Sequence, residues 1–437
     1  MIIKEKTGRN EVKFMFACKR KVNKILAEAA PAPGVAPSII TFYNKSEGVS
    51  MIKVSSTASR SDTVDTSILS ITEDGEHYER IRDLVPVKTI PQGTVRDYYR
   101  VSLVCPGSVV PDGRERLVMF STKALLPTDN PLEGMMNWTL WYQVSFDGGR
   151  TIAYEKQVIQ KGDEYNAMHS LRGVNTGKNC IMLGDHTELP CLTKYQKDPK
   201  ENNKIILGVQ ISNTDENGNY YNPGSGFTFT YCALLHGKWD ENSQLQWDLS
   251  EPIKISPDLS RRGLIEPAIA EMPDGRILMV MRGSNQGRND NPTTAIPGYR
   301  WYSVSSDGGY TWSEAKPWLY DTQENFYSPS SCSQLLWHSN GKLYWIGNIS
   351  ESNPFGNMPR YPLVIGEVDP ESLLLKKDSV SVVATREEDQ SEWVTYSNFY
   401  AKENRVTKNI EINITPYHVV KNDPYNRTNA YIYEVFV

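Results

Sequence analysis

Glu266 and Arg282 flank a strand–turn–strand unit. Pro267-Ala268-Ile269-Ala270-Glu271-Met272 leads into the turn Pro273-Asp274-Gly275, and Arg276-Ile277-Leu278-Met279-Val280-Met281 leads out of it. A guanidinium fork binds a planar carboxylate through two parallel hydrogen bonds, and a carboxylate beside a phenol can accept its proton. The two residues are therefore candidates for gripping an acidic ligand and for moving a proton, with a buried structural ion pair as the alternative. His169-Ser170-Leu171-Arg172 and Asp185-His186-Thr187-Glu188 are weaker polar clusters, although a His, Tyr and Arg set can abstract a proton beside a uronic-acid carboxylate. No H-x-x-x-H or comparable spacing occurs, so neither a metal nor a cofactor is expected.

The elements that must position these residues are strands. Ser305-Ser306-Asp307-Gly308-Gly309-Tyr310-Thr311-Trp312 reads S-x-D-x-G-x-T-W, and Ser145-Phe146-Asp147-Gly148-Gly149-Arg150-Thr151-Ile152 repeats it with only the final aromatic replaced. Asp-Gly between extended runs is a hairpin signal, because the turn needs positive φ and a carboxylate that accepts backbone N–H bonds. A degenerate copy, Thr72-Glu73-Asp74-Gly75, follows Thr66-Ser67-Ile68-Leu69-Ser70-Ile71. The theme of strand, turn and strand recurs with a period of about 50–90 residues, which suggests propeller blades. Six units can be placed, at 36–92, 95–160, 165–257, 262–322, 324–388 and 390–437, the third carrying a polar insertion from Ser212 to Gly226. The expected fold is an all-β, six-bladed β-propeller over 36–437, preceded by an N-terminal extension over 1–35 in which 20–30 could form a short helix.

Composition narrows the function classes. Across 437 residues, 39% hydrophobic and 23% charged content describes a globular body with ample core, and 24 Tyr with 10 Trp suits strands and sugar-stacking surfaces. A formal charge of −5 argues against nucleic acid as partner, and no apolar run is long enough to span a bilayer. The six cysteines show no CxxC spacing, so free thiols are expected. Residues 1–25 carry eight Lys or Arg against two Glu, and Phe14-Met15-Phe16-Ala17 is too short for a signal-peptide core.

The eight-residue turn resembles the Asp-box (BNR) repeat of the sialidase superfamily, which joins outer strands of propeller blades. The stretch from Glu266 to Arg282, with its offset of 16 (282 − 266), is similar to the family segment whose glutamate polarises a tyrosine nucleophile and whose arginine is one of three that grip the substrate carboxylate. Pro359-Arg360-Tyr361-Pro362 resembles the strand carrying another clamp arginine, and Thr395-Tyr396-Ser397 resembles the stretch holding the nucleophile. The resemblance thus implies Glu266 and Tyr396 as the nucleophilic pair, with Arg282 and Arg360 as clamp residues. It also implies a general acid in the first blade, here Asp62. The first blade departs from the family, since Val35-Ala36-Pro37-Ser38-Ile39 holds no arginine; Arg100, one unit later, is the third clamp candidate, and Asp129 would then be the acid.

The implied activity is retaining exo-cleavage of a terminal, acidic sugar from an oligosaccharide or glycoconjugate in an axial cleft. A phenol nucleophile suits an anomeric carbon bearing its own carboxylate, which would repel a second carboxylate at short range. Two alternatives keep the cleft: a polysaccharide lyase acting on a uronic-acid glycan, and a non-catalytic glycan-binding propeller.

Overall fold

The computed structural model describes residues 18–437 apart from 61–63, 85–86, 91–92, 99–103, 110–113, 127–137, 164–174, 183–203, 213–214, 216 and 218–219. Asp62, Arg100, Asp129 and the two clusters around His169 and His186 lie outside the described residues.

Strands alternate with turns throughout, and the described strands form six sheets, the blades of a six-bladed β-propeller. The first blade comprises Ala36–Tyr43, Met51–Ala58, Thr66–Thr72 and Glu79–Asp83. The second is built on the long strand Glu115–Leu126 and includes Val87–Ile90 and Gly93–Tyr98, so it begins earlier than the expected unit at 95. The third comprises Asn175–Met182, Lys204–Ser212, Thr230–Trp239 and Leu245–Leu249, and the fourth Ile265–Glu271, Ile277–Arg282, Arg300–Ser305 and Lys316–Pro317. The fifth holds Gln334–Trp337, Leu343–Asn348, Leu363–Val368 and Ser381–Ala384.

The sixth blade corrects the expectation for the N-terminal region. Tyr400–Glu403, Ile410–Ile414 and Ala430–Val435 are joined at their outer edge by Val22–Glu28, which pairs antiparallel with Ala430–Val435 from Val22 opposite Val435 onward. Residues 22–28 are thus a strand of the propeller and not part of an extension or a helix. The partner strand decides: Ala430–Val435 would otherwise present an open edge, and Lys24 lies 4.4 Å over the Tyr431 ring once the two are paired.

The core lies as wedges between successive blades. Between the fourth and fifth, Ala268, Leu278 and Val280 meet Trp318, Trp345 and Leu375; between the fifth and sixth, Ile346 and Ile365 meet Val394, Phe399, Ile412 and Tyr433. Every residue of Ile265–Glu271 and Ile277–Arg282 is buried, because these two strands are covered on both faces.

In the fourth blade the first strand starts at one face of the disc, the second returns to it, and the third starts there again. Glu266, Arg282 and Arg300 therefore share one face, where Arg282 pairs directly with Arg300 across the sheet. The Asp-Gly turns close the opposite face. In one, Ser305 Oγ donates to Asp307 Oδ1 at 2.7 Å, while Asp307 accepts from the Tyr310 and Thr311 amides at 3.0 Å and from the Thr311 hydroxyl at 2.6 Å. Asp147 repeats the arrangement with Ser145 at 2.7 Å, the Thr151 amide at 2.9 Å and its hydroxyl at 2.6 Å. Gly308 and Gly309 take φ of 80° and 92°, conformations that an L side chain adopts only at a cost.

Candidate functional site

Glu266 opens the inner strand of the fourth blade, beside the hub, where inner strands of neighbouring blades touch. Its backbone has φ of 44°, in the left-handed region that costs a residue with a Cβ about 1–3 kcal/mol. The register between the first two strands shifts at this point, between Ile265 and Ala268, and the Glu266 amide donates to Gln210 Oε1 of the third blade at 3.0 Å. Gln210 and the bulge thus hold the glutamate in a conformation it would not choose alone.

The carboxylate meets Arg282: Nη1 donates to Glu266 Oε2 at 2.8 Å, and both side chains are about nine-tenths buried. Arg282 is pinned on its other nitrogens, Nε donating to Ser330 Oγ at 2.8 Å and Nη2 to Asn357 Oδ1 at 3.3 Å. Asn357 is brought there by an asparagine network between the fourth and fifth blades, in which Asn285 Nδ2 donates to the Pro354 carbonyl at 2.6 Å and the Gly356 amide to Asn285 Oδ1 at 2.8 Å.

Arg360 joins this cluster from the fifth blade. It lies between the cis peptides Met358–Pro359 and Tyr361–Pro362, and its Nη2 and Nε donate to the Ser330 carbonyl at 2.7 Å and 3.2 Å. The sequence expectation for Glu266, Arg282 and Arg360 thus has a common location: Ser330 touches both arginines, and the glutamate touches one.

Tyr396 is placed otherwise. Its backbone lies against Arg360, the Tyr396 amide donating to the Arg360 carbonyl at 2.9 Å, but its ring turns into the wedge between the fifth and sixth blades among Val394, Phe399 and Tyr433. The hydroxyl donates to Gln390 Oε1 at 3.1 Å, and burial pushes its pKa up to about 12, with the Gln390 hydrogen bond opposing the rise. The phenol and the Glu266 carboxylate make no contact, so the nucleophilic pair implied by the resemblance is not formed here. A tyrosine ring gains more from the apolar wedge, with its hydroxyl satisfied by Gln390, than from a charged cleft.

Three further residues belong to the site and were not singled out from the sequence. Arg300 is fully buried beneath Arg282, donating to the Ser331 carbonyl at 2.8 Å and Ser328 Oγ at 2.9 Å, with its guanidinium 5.7 Å from the Trp345 ring centre. Burial pulls its pKa down to about 9, and the nearby charges of Arg282 and Arg360 act in the same direction. Arg262 precedes the inner strand and shows the same fall to about 9, caused first by burial and then by the charge of Arg282, with Glu266 opposing. His418 of the sixth blade has its pKa lowered by burial and by the charge of Arg360, so its imidazole is neutral at pH 7. Among the described residues, four guanidinium groups therefore gather around one carboxylate. The excess positive charge suits an anion.

The family described as BNR repeat-like domain matches residues 111–406, more than half of the sequence. The chain belongs to this family. Solved structures agree with the propeller of a BNR protein. Trypanosoma rangeli sialidase in complex with sialic acid is 12% identical with a TM-score of 0.54, covering 96% of this chain but 59% of the sialidase chain. A protein of unknown function from Dyadobacter fermentans is 14% identical with a TM-score of 0.52, covering 95% of this chain and 99% of that one. A mutant α-L-arabinofuranosidase from Fusarium graminearum, in complex with an iminosugar inhibitor, is 10% identical with a TM-score of 0.51, covering 94% of this chain and 96% of that one. At these identities the likeness concerns the fold. No curated protein matches by sequence.

Proposed function

We propose that this BNR propeller is a glycoside hydrolase acting on an acidic sugar, bound at the face of the disc where Glu266 and the arginines converge. The observation that carries the reading is the buried Glu266–Arg282 pair, with Glu266 at positive φ, set within a surplus of guanidinium groups. Arg282 and Arg360 grip the sugar carboxylate, each already oriented by Ser330. Glu266 takes a proton from the water whose oxygen bonds the reacting carbon, and Asp62, outside the described residues, is proposed as the acid that protonates the leaving oxygen as its bond to that carbon breaks. The solved relatives named as sialidase and arabinofuranosidase support carbohydrate as the ligand class. In this reading Tyr396 is a packing residue.

One observation favours a second reading, elimination across a uronic acid. Burial and the charge of Arg360 lower the pKa of His418 and so favour the unprotonated form, which a base needs to take a proton from the carbon next to a carboxylate whose charge an arginine offsets. The carbon–proton bond and the bond to the leaving oxygen break together, leaving a carbon–carbon double bond.

Incubation with aryl glycosides of acidic and neutral sugars, and with uronic-acid polysaccharides, tests both. Hydrolysis predicts release of the aryl group from acidic sugars, lost in Glu266→Gln. Elimination predicts an ultraviolet-absorbing unsaturated product, lost in His418→Ala. Neither product from any acidic substrate would overturn the enzymatic reading.

A further inference from the structure

A cavity of about 360 Å³ lies outward from Arg360, beside the sixth blade. Small-molecule sites occupy about 300–1,000 Å³, so this one has room for a ligand. Its place follows from the backbone: the Tyr396 amide donates to the Arg360 carbonyl at 2.9 Å, the Thr395 amide to the Tyr417 carbonyl at 2.9 Å, and Pro416 next to Tyr417 lines the cavity. Two strand spacings, about 10 Å, thus separate it from the Arg360 backbone. Its outer wall is tied down where the Ala30 amide donates to Asn429 Oδ1 at 2.9 Å.

One wall group is incompletely bonded. Gln390 lines the cavity and is only 8% exposed. Its Oε1 accepts from the Glu387 amide at 3.0 Å and from the Tyr396 hydroxyl at 3.1 Å. A backbone N–H can only donate, which fixes the orientation of the Gln390 amide and leaves Nε2 turned to the cavity. Among the described residues Nε2 has no acceptor, and it is open rather than sealed. A nearly buried donor without a partner calls for an acceptor in the space it faces.

The charges of the cavity are balanced, unlike those of the arginine cluster. Lys24 pairs with Glu387 at 2.7 Å and Arg427 with Asp389 at 2.9 Å, two cations against two carboxylates. Arg427 takes φ of 56°, a left-handed conformation that an L side chain adopts only at a cost. A charged ligand would have to break one of these pairs. A hydroxyl can accept from a guanidinium or amide and donate to a carboxylate at once, so neighbouring hydroxyls on a small ring match the wall without disturbing its balance.

We propose that this cavity is a second binding site, for a neutral sugar, with Gln390 Nε2 donating to one sugar oxygen and the Asp389–Arg427 pair engaging adjacent hydroxyls. It goes beyond the acidic-sugar reading and stands without it, because neither Glu266 nor Arg282 nor Arg360 lines the cavity.

Saturation-transfer NMR on the full chain, with glucose, galactose, mannose and arabinose as probes, tests the site. At least one of them binds the wild type, and glucuronate does not displace it. Gln390→Glu at pH 8, which keeps the acceptor but exchanges the free donor for an oxygen, weakens binding about twofold to tenfold, the range for one hydrogen bond. Arg427→Gly, which removes the guanidinium and relieves the positive φ, weakens it about tenfold or more and melts near the wild-type temperature. Arg360→Ala binds the same sugar like wild type. The proposal is overturned if none of the four neutral sugars binds, if binding survives both Gln390→Glu and Arg427→Gly, or if both variants lose it only along with a lowered melting temperature. Displacement by glucuronate, or loss of neutral binding in Arg360→Ala, would place the sugar in the arginine cluster and overturn it equally. Failure of the acidic aryl glycosides to react, by contrast, strikes the acidic-sugar reading and leaves this site standing.

Discussion

The two faces of the disc treat charge in opposite ways. On the face closed by the Asp-Gly turns, Asp307 and Asp147 each accept hydrogen bonds from a serine hydroxyl, a threonine hydroxyl and backbone amides of their own loop. Those carboxylates are satisfied locally and need nothing else. On the other face, Arg262 and Arg300 each keep a buried nitrogen without a partner, and Glu266 is held at positive φ. Carboxylates that complete their bonding within their own loop serve the fold, whereas a carboxylate held at a conformational cost among several guanidinium groups is a candidate for binding a ligand.

The largest expected effect breaks the arginine face. Glu266→Gln should reduce turnover of an acidic substrate by about 10²- to 10⁴-fold, the range for loss of a proton-transfer group, while leaving the melting temperature within a few degrees. Steady-state rates beside a thermal scan measure both; loss of folding along with activity would make Glu266 structural. Next comes Gly263→Ala, which meets the Thr230 carbonyl and a positive φ together and should destabilise by more than about 1 kcal/mol in urea unfolding. Tyr396→Phe removes one buried hydrogen bond to Gln390, costs about 1 kcal/mol, and leaves turnover near wild type. Its abolition of turnover would instead place the phenol in the chemistry and blur the contrast between packing and reacting residues.

The smallest effect sharpens the opposite face. Hydrogen bonds from Thr311 and Ser305 hold the Asp307 carboxyl below its ordinary value. A depressed carboxylate contributes stability above its unfolded pKa, about 3.9, and loses it as pH falls through the folded value. Asp307→Asn should therefore lower stability modestly at pH 7, by about 1 kcal/mol because the turn is exposed, and the gap from wild type should close below about pH 4. Melting temperature against pH reads this directly, and a gap independent of pH would remove the carboxylate from the explanation.

What the sequence made legible was local. The turns around Asp147 and Asp307 announce themselves because donors and acceptors lie within a few residues of one another, and Glu266 and Arg282 are brought together by the single hairpin between them. Residues 22–28 could not be read as a strand, since Val-Asn-Lys-Ile-Leu-Ala-Glu gains its conformation from a partner some 400 residues away. The direction of Tyr396 was equally hidden: one residue of phase exchanges wedge for cleft, and only the neighbours Gln390 and Tyr433 fix the choice. For Arg262 a signal existed in Arg261-Arg262-Gly263, two cations and a flexible joint ahead of a wholly buried strand.

The seam between Val22–Glu28 and Ala430–Val435 makes one strand wait for a partner some 400 residues later in the chain. During synthesis five blades can stack while the sixth holds only its outer strand, so the circle is latched only once Ala430–Val435 has left the ribosome. Until then both ends of an open arc expose sheet edges and apolar wedges, and the time spent in that state depends on how quickly the stretch between the two strands is translated.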